Sequence, residues 1–72
     1  MKIQNIELNP GDNFQVGQDT SIYTFLEVTK NERYGYDQLV CKNNHDDPKR
    51  PTSIFRIDNM IEHELYITKL WN

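Results

Sequence analysis

The 72-residue chain has no alanine, one cysteine, three glycines and three prolines, and no apolar run long enough to cross a bilayer. Each shortage excludes something. The lone thiol of Cys41 cannot close an internal disulfide, so the fold must hold without covalent staples. A single cysteine with no secretory leader predicts a soluble protein in a reducing, cytoplasmic setting. The glycines stand apart at Gly11, Gly17 and Gly35, which leaves neither a Gly-rich phosphate loop nor a Gly-x-Ser-x-Gly elbow. Positive charge is also scarce. Eight Lys+Arg against eleven Asp+Glu give a net charge of −3, which weighs against a domain devoted to phosphate backbones.

The remaining chemistry is thin. His45 is followed by Asp46 and Asp47, and His63 lies between Glu62 and Glu64, but neither group has the His-x-x-x-His or Cys-x-x-Cys spacing that gathers metal ligands on one side. No metal and no cofactor is expected. Cys41 and His45 lie close in sequence without a third group to orient them, and so short a chain leaves little room for a substrate cavity. Catalysis is therefore not expected. Cys41, within Gln38-Leu39-Val40-Cys41-Lys42, reads as a small core residue.

What the chain does carry is strand pattern. The stretch Ser21 to Val28 alternates Ile22, Thr24, Leu26 and Val28 against Tyr23, Phe25 and Glu27, so both faces are mostly apolar. That predicts a central strand covered on both sides, as in a small closed barrel. Before it, the turn Asn9-Pro10-Gly11-Asp12 leads into Asn13-Phe14-Gln15-Val16, and Gly17 to Thr20 joins the two as a hairpin. Gln38 to Lys42 and Thr52 to Ile57 read as further strands, the latter with Phe55 and Ile57 on one face and Ile54 and Arg56 on the other. Asp58 has the chemistry of a helix N-cap, and Ile57, Met60 and Ile61 fall at helical spacing, which predicts one short turn. Glu64 to Leu70 makes a last strand, and no linker divides residues 1–72, so one domain is expected.

The segment Pro10-Gly11-Asp12-Asn13-Phe14-Gln15-Val16-Gly17, with the pattern from Phe55 through Asp58 and Ile61 to Ile67, resembles the SH3-like small barrels. The resemblance implies an all-β, five-stranded barrel with a single helical turn before its final strand. The paired-tyrosine and tryptophan groove of peptide-binding SH3 domains has no residue-by-residue match, so the resemblance implies a scaffold and leaves the ligand open. An OB-like barrel is the architectural competitor, although such barrels are usually longer.

Function must then be read from the surface. Tyr34 and Tyr36 flank Gly35 in a polar, exposed turn with Arg33, and the glycine permits a positive φ there. Pro48 and Pro51 bound the basic pair Lys49-Arg50 in the most hydrophilic loop, and Trp71 is either a lid on the barrel or a contact residue. Aromatics left at a surface favour protein contacts, and the edges of a small sheet can pair with another chain or with a second copy. The expected binding residues are thus Arg33, Tyr34, Tyr36, Lys49, Arg50 and Trp71, with a host protein as partner and a homodimer as a further state. The competing expectation is a binder of RNA or single-stranded DNA, with Lys30, Arg33, Lys49, Arg50 and Arg56 on phosphates and the tyrosines stacked on bases. Frequent Asn, Lys and Ile beside absent Ala suggest an AT-rich coding sequence. In kind, a small acidic chain without catalytic motifs resembles the accessory proteins that phages and mobile elements use to modulate host machinery.

Overall fold

A computed structural model describes residues 2–43 and 51–71. The elements in chain order are β1 (Lys2–Ile3), β2 (Ile6–Glu7), β3 (Asn13–Val16), β4 (Tyr23–Lys30), β5 (Asp37–Asn43), β6 (Thr52–Arg56), α1 (Ile57–Met60) and β7 (Ile67–Leu70). The protein is all-β, with a five-stranded antiparallel sheet in the order β6-β5-β4-β3-β7. One short helix precedes the last strand, as the spacing of Ile57, Met60 and Ile61 predicts.

The long strand β4 is central, as expected, but it is not covered on both sides. Its register against β5 shifts between Phe25 and Glu27, leaving Leu26 without a partner. The extra residue resets the alternation beyond it. Tyr23 and Phe25 point into the core before the bulge, while after it Val28 packs inward and Glu27 is exposed. Ile22 and Leu26, in phase opposite to the buried Tyr23 and Phe25, face solvent, so the outer side of β4 is not covered as its apolar pattern predicts. The inner face is covered by Ile3 and Leu8 from the β1–β2 hairpin region and by Met60 of α1, all buried with Phe14, Phe25, Leu39, Cys41 and Ile67. The closed barrel is not formed among the described residues. Strands β6 and β7 end the sheet at opposite edges, and the hairpin and helix do the covering that closure would have done.

Two local details differ from the sequence reading. Hairpin β1–β2 turns through Gln4 and Asn5, both at positive φ (54° and 64°) without a glycine. The cost of that backbone is offset in part by the Gln4 carboxamide, whose Nε2 donates to the Leu65 carbonyl (2.9 Å) while its Oε1 accepts from the Ile67 N–H (2.8 Å). Asp58 does not cap α1. The N-cap is Arg56, whose side chain has no acceptor to offer, and Asp58 lies inside the first turn, where its carboxylate pairs with the Arg56 guanidinium at 2.7 and 3.0 Å.

Cys41 is fully buried in β5 opposite Phe25, and burial pushes its thiol up to about 12. The thiol therefore stays neutral and shielded at pH 7. Iodoacetamide should leave the native protein unlabelled by mass spectrometry and modify it fully once urea unfolds the chain. Rapid labelling of the native state would contradict this placement.

Candidate protein-docking face

The outer face of strands β4, β5 and β6 has no element packed on it among the described residues. Its middle row runs Glu27, Val40, Ile54 across the three strands, with Leu26 of the bulge beside it. Leu26 is 40% and Ile54 58% exposed, and Val40 is half-buried. An aliphatic group of Leu26, Val40 and Ile54 edged by Glu27 is the kind of surface a partner covers.

The next row, Thr29, Gln38, Arg56, joins this patch to the β4–β5 turn. The Arg56 guanidinium lies 4.2 Å from the centroid of the Tyr36 ring. Tyr36 in turn stacks on Tyr34, with centroids 6.3 Å apart and planes 6° from parallel, and the Arg33 guanidinium sits 5.3 Å from the Tyr34 ring. The four side chains form a ladder of two stacked rings with a cation at each end. Its base is braced by Asn31. The Asn31 carboxamide oxygen accepts from the backbone N–H groups of Arg33 and Tyr34 at 3.0 Å each, its Nδ2 donates to the Tyr36 hydroxyl at 3.2 Å, and its carbonyl accepts from Gly35 N–H at 2.7 Å. Gly35 takes the positive φ (77°) anticipated from the Tyr-Gly-Tyr sequence.

Electrostatically the ladder is partly neutralised. Arg56 holds the Asp58 carboxyl below its ordinary range, and Asp58 raises the guanidinium further in return. Arg56 is thus already paired when a partner arrives. Tyr34, 69% exposed, is the most open ring of the turn.

The sequence-expected residues do not form one site. Arg33, Tyr34 and Tyr36 come together, whereas Lys49 and Arg50 lie outside the described residues. Trp71 stands elsewhere, at the end of edge strand β7. It is 82% exposed and so does not close a barrel, and the Lys69 ammonium sits 4.5 Å from its ring centroid. Lys69 also donates to the Glu7 carbonyl (2.9 Å) and pairs with Asp12 (3.3 Å), bordering an open groove of about 440 Å³ between Ile6 and Ile67. Sequence reading missed Leu26 and Ile54 as surface residues. The strand phases of Ile54 opposite to Phe55 and of Leu26 opposite to Phe25 were usable signals, whereas the bulge that turns Val28 inward and Glu27 outward left none.

No family model, curated protein or solved structure matches this chain.

Proposed function

We propose that the protein is a non-catalytic interaction module that binds another protein through the outer face of β4–β6 and the Tyr34–Gly35–Tyr36 turn. The observation that carries this reading is that Leu26, Val40 and Ile54 share one outer face whose next register row ends in Arg56 of the braced Arg–Tyr ladder. Aliphatic centre, tyrosine and arginine are the composition of interface hot spots, and a turn held by Asn31 loses little conformational freedom on binding. The sheet order, with the last strand beside β3 and one helical turn before it, supports an opened variant of the SH3-like arrangement. In kind, we assign the module to the accessory proteins with which phages or mobile elements modulate a host protein, on its acidity and its AT-rich composition.

The ladder speaks less for nucleic acid. Tyr36, the less exposed of the two rings, already has Tyr34 and Arg56 within stacking range, and the Arg56 charge is paired with Asp58.

Affinity capture with the tagged protein, across a salt series and with nuclease, tests the proposal. A protein retained by the wild type and insensitive to nuclease should be lost with Leu26→Lys. The double variant Tyr34→Ala/Tyr36→Ala should keep its melting temperature within a few degrees yet weaken binding about thirtyfold, the effect of a hot spot worth ~2 kcal/mol. Retention unchanged in both folded variants would overturn the assignment. Partners lost on nuclease treatment with steep salt dependence would move it to nucleic acid.

A further inference from the structure

The two edges of the sheet are not alike. On β7 the outward N–H of Ile67 and the Leu65 carbonyl just before it are occupied by the Gln4 carboxamide, and Lys69 bridges across to Glu7. That edge is blunted. On β6 the phase is fixed by the Asn43 N–H donating to the Pro51 carbonyl at 2.9 Å. Alternation then assigns Ser53 and Phe55 to the ladder with β5, while Thr52 and Ile54 turn N–H and C=O, and Arg56 its N–H, to the side on which no described strand pairs. Ile54 stands exposed at the middle of this strand, and no inward-pointing charge protects it.

The geometry points to a homodimer formed by antiparallel pairing of β6 with β6 of a second copy, about a two-fold axis at Ile54. The strand is self-complementary in this register. Ile54 faces Ile54, Ser53 faces Phe55 on the inner side, and each Arg56 guanidinium faces the neutral Thr52 hydroxyl of the other copy. Centring the axis on Arg56 would set two guanidinium groups directly opposite each other, which is unfavourable. The Ile54 register avoids that contact. Pairing would extend the row Val40, Ile54 into Ile54, Val40 of the second copy, so the two outer faces become one surface, and a sheet of five strands becomes one of ten. A second copy fits this edge on its own symmetry and charge, without reference to what the outer face binds.

Sedimentation velocity on the purified protein over a concentration series tests the dimer without any other partner. The wild type should self-associate. Ile54→Lys and Ile54→Glu should each be folded and monomeric, because like charges then oppose across the axis. An equimolar mixture of the two should restore the dimer. Ile54→Pro removes an N–H that points away from β5, so by circular dichroism it should keep the sheet and yet sediment as a monomer. If the proline variant does not fold, the charge-swapped pair still decides. A wild type that remains monomeric throughout, an Ile54→Lys variant that dimerises as the wild type does, or a mixture that fails to re-form the dimer would each overturn the proposal. So would a folded Ile54→Pro variant that still dimerises. Leu26 and Tyr34, which test the docking face, lie off this edge, so the two readings fail separately.

Discussion

Replacing Phe14 by alanine leaves the protein mostly unfolded in water at room temperature. Phe14 is completely buried in β3, between β4 and β7, and stacks on Tyr23 with ring centroids 5.8 Å apart. Tyr23 in turn meets Phe55 edge-on at 5.4 Å, so one ring supports contacts across the width of the sheet. Truncating a buried phenylalanine to alanine costs about 3–5 kcal/mol through lost transfer energy and the cavity left behind. A chain of 72 residues is stable by about 4–11 kcal/mol, and a small domain sits near the lower end. The loss therefore approaches the whole stability. Urea titration followed by circular dichroism should show a wild-type transition and little or none for Phe14→Ala. A midpoint within experimental error of the wild type would mean that β3 does not hold the core.

Leu39→Asp should abolish folding, whereas Val40→Asp, one residue on, should not. Leu39 is fully buried in β5 between Val28 and Phe55, and a carboxylate there has no partner. The substitution removes roughly 1.5–3 kcal/mol of apolar burial and adds the desolvation of a charge, which exceeds the stability available. Val40 belongs to the outer row with Glu27 and Ile54 and reaches solvent. The pair tests the strand phase that the bulge at Leu26 creates, because Val28 opposes Leu39 only after the register shift. One-dimensional proton spectra with dispersed methyl signals for Val40→Asp and collapsed signals for Leu39→Asp are expected. The reverse pattern would put the docking face on the inside.

Much of the fold was legible in the sequence for simple reasons. Asn13 to Val16 alternates cleanly, Gly17 to Thr20 breaks the pattern, and Phe55 and Leu65 mark the inner face at either side of the helical turn, so the strand count of the main sheet and the place of α1 could be read directly. The errors have physical causes. A bulge has no sequence signature when the extra residue is an ordinary leucine, so the phase of β4 was misread beyond Leu26. The Gln4-Asn5 turn lacked the glycine that flags such hairpins, and strands of two residues are too short to show alternation. Asp58 had a cap's identity but lies inside the first turn, paired with Arg56 two residues back. Of the docking face, Arg33, Tyr34 and Tyr36 were identifiable because an exposed Tyr-Gly-Tyr turn is conspicuous. Ile54 and Arg56 could be read as sharing the face opposite to Phe55, but only the sheet register brings them, with Leu26, beside that turn.

The central claim is that the outer face of β4–β6 is where a partner docks, and hydrogen–deuterium exchange with and without the captured partner tests it most directly. The structure predicts added protection at Leu26, in residues 33–36 and along β5 and β6 around Val40 and Ile54, with β7 and Trp71 unchanged. Protection confined to β7, Trp71 and the groove beside Ile6, with the Tyr34–Tyr36 turn unaffected, would contradict the account.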